Sequence, residues 1–314
     1  MSKAAQGVRI RLLYDDVGCR GTSPEIFQEM TWAGIAIQPY NPWLPAGAHV
    51  GRRDHRKISL IDGRIALLGG FNLAAEYSRQ CSGKKAWRDS GVRIEHPNCT
   101  GRLRELFEES WEGRRRTFRE FIRRRPKRPD WREAPFHIVS SYGLRRISPI
   151  RNEYLSAFVH AKKRILITNA YFVPDRGIRR ALKKAARRGV DVRLLTAGVT
   201  DVRIARWAGQ ATYGSFLRAG VQIFEYEARV LHAKTAVVDD DWMTVGTANI
   251  DHLSFFTNLE VNLFGRDPAS ARVLADRFEE DLKSSREIRR NDWRRRPWWA
   301  RLVERFFFLF RVWL

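Results

Sequence analysis

The sequence predicts an α/β protein built from two similar halves, and three observations carry that expectation. A spaced pattern occurs twice, 177 residues apart: His55, Lys57, Asp62, Gly69 and Asn72, then His232, Lys234, Asp239, Gly246 and Asn249. In both copies Lys follows His by two residues, Asp follows Lys by five, Gly follows Asp by seven and Asn follows Gly by three. Short apolar runs alternate with stretches of helical periodicity, as in βαβ units. The length of 314 residues and the 44% hydrophobic content suffice for one large domain of two halves with a proper core.

The second half, from about residue 144 to 290, is the better preserved. A helix is predicted over Arg151 to Lys163, then a strand over Arg164 to Asn169 and the segment Tyr171-Phe-Val-Pro-Asp175. Ile178 to Arg188 alternates apolar and basic residues at helical spacing and stops at Gly189, suited to a left-handed cap. Strands follow at Val190 to Leu195 and Val221 to Tyr226, and the second motif enters another at Thr235 to Asp239. Asp267-Pro268 opens a last helix, with Asp as N-cap and Pro at the first position.

The first half, residues 1 to 113, repeats this order. Lys3 to Leu13 lines up with Lys184 to Leu195, and Phe107-Glu-Glu with Phe278-Glu-Glu. Nothing precedes Met1 to match Arg151 to Lys183, so the first half lacks the opening strand and helix of its partner. An upstream segment is the favoured explanation, because a sheet missing a strand exposes an edge. Residues 114 to 143, rich in Arg and Pro, read as a basic linker between the halves.

A net charge of +23 points to a polyanionic partner, either nucleic acid or an anionic membrane surface. Cys19, Cys81 and Cys99 have no paired spacing and read as reduced thiols, neither a disulfide frame nor a zinc site. There is no apolar signal segment and no run long enough to span a bilayer, so any membrane attachment is expected to be peripheral.

The duplicated pattern suits phosphodiester chemistry, which needs a nucleophile, a proton donor for the leaving oxygen, and positive charge around the phosphoryl oxygens. One neutral imidazole attacks phosphorus to form a phosphohistidine, and a second, protonated, serves the leaving alcohol. Lys57 and Lys234 share a strand face with their histidines, because side chains alternate, and flank the phosphate; Asn72 and Asn249 offer amide donors. With that donor set a metal is dispensable, and no cofactor is expected. His49, His96, His137, His160 and His252 lack this context and read as structural or surface residues. Glu76 and Asp251 suit support of the site, packing or capping equally well.

Both copies resemble the HKD motif of the phospholipase D superfamily. His55-Arg-Lys-Ile, Gly69 to Tyr77, Tyr171 to Asp175, Glu225-Tyr226 before Leu231 to Lys234, and Asn258-Leu-Glu260 are similar to its bacterial cardiolipin synthase branch. The resemblance covers nearly the whole chain. It implies two α/β/α lobes packed about a pseudo-twofold axis, with the motifs meeting between them. It further implies that each histidine is oriented by a carboxylate of the opposite half, Asp89 and Glu260 here, while Asp62 and Asp239 are structural. By the same analogy His55 is the nucleophile and His232 the acid and base, an assignment the residues themselves leave open.

The C-terminal stretch, residues 291 to 314, weighs on the choice of polyanion. Trp298, Leu302, Phe306, Leu309 and Trp313 fall on one helical face with Glu304 and Arg311 opposite, as in a helix lying in a membrane interface. The competing reading packs this stripe on the protein's own core. Lipid is favoured over nucleic acid, and the expected activity is transfer of a phosphatidyl group between phosphatidylglycerol molecules on the cytoplasmic face of the membrane. The alternatives are a phospholipase D hydrolase, a phosphodiesterase nuclease, or an inactive truncated form. Acceptor identity and oligomeric state are not encoded legibly.

Overall fold

Strand pairing arranges the two halves as related but unequal sheets. The computed structural model describes residues 1–42, 52–113, 134–143 and 148–313; His49 and most of the basic stretch 114–143 lie outside the described residues. In the second half, β7 (Arg164–Asn169), β8 (Asp191–Ala197) and β9 (Gln222–Tyr226) run parallel. Beside β7 stand, all antiparallel, β10 (Lys234–Val238), β11 (Trp242–Gly246), β12 (Val261–Arg266) and β6 (Phe136–Ser140), and β13 (Ser285–Glu287) edges β9.

The central strands β7, β10 and β11 are buried along nearly their whole length because both of their faces are covered. Ile165 and Ile167 pack with Ile150, Tyr154 and Phe158 of the helix Pro149–His160, whereas Leu166 packs with Ala271, Ala275 and Phe278 of the helix Pro268–Leu282 on the other side. The crossover helices have ends written in the sequence. Asp175 accepts the amides of Gly177 and Ile178 to open Arg176–Arg187, and Gly189, at φ +93°, closes it.

The first half has β1 (Arg11–Asp15) parallel to β2 (Ala36–Tyr40), and separately the antiparallel β3 (Ile58–Ile61), β4 (Ile65–Gly69) and β5 (Gly91–Ile94). The repeat is kept in register. Ile58 faces Leu68 as Thr235 faces Val245, and Gly69 faces Gly91 as Gly246 faces Asn262. Between β1 and β3, where β7 would stand, there is no strand among the described residues, and the side chains of β1 are correspondingly half-exposed.

Two features differ from the sequence reading. Phe136–Ser140, inside the stretch read as linker, is a strand paired with β12, because its short apolar run finds a vacant edge on the second half's sheet. The C-terminal stretch forms two helices, Arg290–Arg295 and Trp298–Leu309, and ends in a turn at Arg311–Trp313. The second helix packs on the helix Arg203–Leu217 and leaves its other side exposed.

One apolar cluster joins the halves. Cys99, Leu103 and Leu106 of the helix Pro97–Trp111, with Ala66, Leu68 and Ile94, pack against Val261 and Leu263 of β12. That contact fixes the two motifs with respect to each other.

Candidate active site

Short bridges between the halves place each motif histidine beside a carboxylate of the other half. The amide of His55 donates to the carbonyl of Leu259 at 3.0 Å, and the amide of Leu259 returns to Arg53 at 2.8 Å. The mirror pair is the amide of His232 to Arg88 at 2.7 Å and that of Arg88 to Val230 at 2.8 Å. With the backbones so clamped, His55 Nδ1 lies 2.9 and 3.1 Å from the Glu260 carboxylate oxygens, and His232 Nδ1 lies 2.8 Å from Asp89 Oδ2. In both rings Nδ1 is engaged, which leaves Nε2 for chemistry.

The lysines follow the same symmetry. Lys57 Nζ donates to the carbonyl of His55 at 2.7 Å, and Lys234 Nζ donates to that of His232. Burial drives both ammonium groups toward their neutral forms, Lys57 down to about 7 and Lys234 to about 8, against the pull of nearby carboxylates. Burial, reinforced by Lys57 and Lys234, holds His55 well below its usual value. Burial and Lys234 bring His232 down to about 4, opposed by Asp89. Burial pushes Glu260 up to about 8, opposed by Lys57 and by the Thr247 hydroxyl. The empty site thus disfavours positive charge on its four basic groups, and a phosphodiester brings the negative charge that raises histidine and lysine affinities for protons together.

The surroundings of the two histidines are unequal. The His232 side chain is 6% exposed, under the rings of Tyr77, Trp87 and Tyr171 at 5.5, 5.6 and 6.2 Å, while that of His55 is 28% exposed. Asn249 is buried with Oδ1 unpartnered, whereas Asn72 is exposed and donates its amide to the Tyr77 hydroxyl at 3.1 Å. Asp62 and Asp239 are turn residues at φ +52° and +54°, and the Asp239 carboxylate accepts the amides of Lys162, Lys163 and Arg164. Seven residues of extended chain place Asp239 roughly 20 Å from His232. Asp251 caps the short helix His252–Phe256, and burial pushes it up to about 7. Glu76 is exposed, and its carbonyl accepts the amide of Trp87 at 2.7 Å.

Several contributors were not singled out from the sequence. Tyr77, delivered by the turn Ala75–Tyr77, brings its hydroxyl to 3.2 Å from His232 Nδ1. Thr247 donates to Glu260 Oε2, and Ser141, just beyond β6, holds the Glu260 backbone from both sides. Tyr77 closes the segment Gly69 to Tyr77, but nothing in the spacing points its hydroxyl at the other half.

The glycines of the first motif are sterically required. A Cβ on Gly70 would stand 2.4 Å from both Asp89 carboxylate oxygens. Gly70→Ala is expected to move Asp89 off His232 and to lower turnover about 10- to 100-fold with a small change in melting temperature; unchanged turnover would contradict this placement.

With the geometry in view, comparison with known proteins decides the family. A family model described as "Cardiolipin synthase, PLD-like domain" matches residues 1–111 and 154–282. The chain belongs to this family. Among its relatives, cardiolipin synthase B of Escherichia coli (strain K12) is 35% identical over 307 residues, covering 95% of this chain and 73% of the relative. Major cardiolipin synthase ClsA of Bacillus subtilis (strain 168) is 33% identical over 308 residues, covering 97% of this chain and 64% of that protein. The chain therefore spans slightly under two thirds of the latter's length. The crystal structure of phosphatidylserine synthase from Haemophilus influenzae Rd KW20 shares the fold, with a TM-score of 0.73 at 13% identity over 100% of this chain and 85% of that one. The two-segment match of this cardiolipin synthase-like family falls on the two halves of the repeat.

Proposed function

We propose that the chain is a phosphatidyl transferase of the cardiolipin synthase type, working through His55, His232, Lys57, Lys234 and Asn249 with Asp89 and Glu260 as partners of the histidines. Residues 1–113 and 144–290 act as its lobes. The observation that carries this reading is the crossed pairing of His55 with Glu260 and His232 with Asp89. The names and the identity of the cardiolipin synthases it resembles supply the substrate class.

In the first step Nε2 of His55 attacks phosphorus of a phosphatidylglycerol, the bond to the glycerol oxygen breaks, and His232 as imidazolium gives that oxygen its proton. In the second, neutral His232 takes the proton from a hydroxyl of another phosphatidylglycerol, whose oxygen attacks phosphorus and releases His55. The products are one cardiolipin and one glycerol. Lys57 and Lys234 compensate charge on the phosphoryl oxygens, and Asn249 Oδ1, unpartnered in the buried site, is free to orient a hydroxyl. Asn72 joins the phosphate only if its amide leaves Tyr77.

No helix among the described residues is long and apolar enough to cross a membrane. The proposed setting is peripheral, on the cytoplasmic face. Incubation with phosphatidylglycerol should give cardiolipin and glycerol in equal amounts. Phosphatidic acid as sole lipid product would replace this reading by hydrolysis, and cleavage of single-stranded DNA without lipid turnover would replace it by a nuclease.

The lysines also set a pH dependence. An ammonium is charged below its pKa, so the site loses positive charge as pH rises through about 7 for Lys57 and about 8 for Lys234. kcat/KM for a monomeric substrate, which reports the free enzyme, should fall from about pH 4 as the acid His232 loses its proton and fall more steeply above about pH 7 as Lys57 does. Lys57→Arg, charged throughout, should push the steeper decline upward; a profile that does not steepen by about pH 9 in the unaltered protein would rule out the lysine assignment.

A further inference from the structure

The C-terminal helix Trp298–Leu309 carries apolar side chains on both of its faces. Ala300, Val303, Phe307 and Phe308 turn toward the protein together with Glu304, which is 5% exposed and takes a two-pronged contact from Arg296 at 2.5 and 3.1 Å. Its bulky apolar stripe is outside, with Trp298 71%, Leu309 69% and, past its end, Trp313 78% exposed, and Leu302 and Phe306 exposed between them. The helix is held to the protein by Phe307, stacked on Trp207 of the helix Arg203–Leu217 at 5.0 Å, and by Phe308 beneath Arg179.

The helix also has a direction. Trp293, before it, packs on Tyr213 in the second half of Arg203–Leu217, and Phe307, near its end, packs on Trp207 in the first turns. It therefore rises toward the N-terminus of Arg203–Leu217, which lies beside the His232 side of the site. Asp201, two residues earlier, accepts the Tyr171 hydroxyl at 2.5 Å, and the Tyr171 ring is 6.2 Å from His232. The connection here exposes Val199, Val202 and Ile204. The final turn, Arg311–Trp313, packs against His252–Phe256, the helix capped by Asp251.

We propose that this outward apolar stripe and the exposed residues Val202 and Ile204 form one surface that docks on an anionic bilayer. The mouth of the site then opens into the headgroup layer, and lipid reaches His55 without leaving the membrane. Deepening the transferase reading, this rests on it only for the identity of the lipid inside the site. Monomeric soluble proteins seldom leave so large an apolar patch in water. Tryptophans at both ends of the stripe, with exposed Arg294, Arg295, Arg301 and Arg305 beside it, match a helix lying at headgroup level with its arginines reaching to the phosphates. The net charge of +23 selects an anionic lipid surface over a second copy of the chain, which would bring like charge to the same face.

The experiment compares the full chain with Leu302→Glu/Phe306→Glu/Leu309→Glu, with Val202→Glu/Ile204→Glu, and with Val273→Glu as an exposed apolar control on the helix Pro268–Leu282. Each is cosedimented with vesicles of phosphatidylglycerol or of phosphatidylcholine and assayed on short-chain phosphatidylglycerol below its micelle concentration. The unaltered chain and Val273→Glu should bind phosphatidylglycerol vesicles, and bind phosphatidylcholine at least about 10-fold less. The tail variant should lose at least about 30-fold in vesicle affinity and the mouth variant about 10-fold, both turning over the monomeric substrate within about twofold of the unaltered rate. Full vesicle binding by the tail variant overturns the proposal, as does self-association of the unaltered chain that this variant abolishes without any vesicle binding to lose. Vesicle binding with no turnover of either form of lipid supports the docking surface and overturns the transferase reading instead.

Discussion

His55→Ala is expected to abolish both turnover and the covalent phosphoenzyme, a loss of at least about 10⁴-fold in kcat. The basis is an asymmetry between two otherwise equivalent positions. His232 lies under three aromatic rings at 6% side-chain exposure, while His55 keeps 28% and so presents Nε2 to whatever enters the mouth. Burial holds both imidazoles low, His55 with Lys57, Lys234 and Arg53 and His232 with Lys234 against the pull of Asp89, so exposure and not charge separates the two. His232→Ala should lose turnover comparably but for a different reason, and an aryl phosphodiester separates the two. Such a leaving group departs without a proton, so His232→Ala should form the phosphohistidine and fail to resolve it, whereas His55→Ala should form none. Label retained by His55→Ala and absent from His232→Ala would reverse the assignment.

How much was legible in the sequence depended on whether the deciding contacts were local. The second half could be read because its strands and helices carry their own ends: Asp175, Gly189 and Asp267 act within a few residues of the elements they bound. The equal spacing of the two motifs was legible as a repeat, and it is kept as strand register. What spacing alone did not hold was any contact across the halves. Asp89 and Glu260 came into view through family resemblance, and the clamp that sets them, at Leu259 and Arg88, is made of backbone amides and carbonyls, which no residue type advertises. Tyr77 reaches His232 over 155 positions and Thr247 reaches Glu260 across a hairpin. β6 was hidden by the arginines and prolines before it, yet Ser141 at its end anchors Glu260. The tail's stripe was visible, but its outward orientation turns on Glu304 pairing with Arg296 around the Pro297 bend.

Above about pH 8, where Glu260 is a carboxylate, Glu260→Gln is expected to lower kcat by about 10³- to 10⁴-fold, close to removing the nucleophile, although the side chain changes by one atom. The reason is the hydrogen-bond order around it. The amide of Val261 donates to Thr247 Oγ1 at 3.0 Å, and the Thr247 proton goes to Glu260 Oε2 at 2.5 Å in preference to the more distant Val261 carbonyl at 3.3 Å. A glutamine must then turn its carbonyl oxygen to Thr247 and its amide nitrogen to His55 Nδ1, which sits 2.9 Å from the other carboxylate oxygen. An amide that donates to Nδ1 forces the imidazole proton onto Nε2, the atom that has to attack phosphorus. The same logic predicts a rescue. Thr247→Val removes the hydroxyl that dictates the glutamine's orientation, so the amide can flip, accept from Nδ1–H and return Nε2 to its unprotonated form. Thr247→Val in the Glu260→Gln background should therefore regain about 10-fold or more, while Thr247→Val alone loses activity. Mere damage to packing by either change predicts losses that add. A double variant slower than Glu260→Gln, measured as burst and steady-state rates on the aryl phosphodiester, would mean that Glu260 does not act by setting the tautomer of His55.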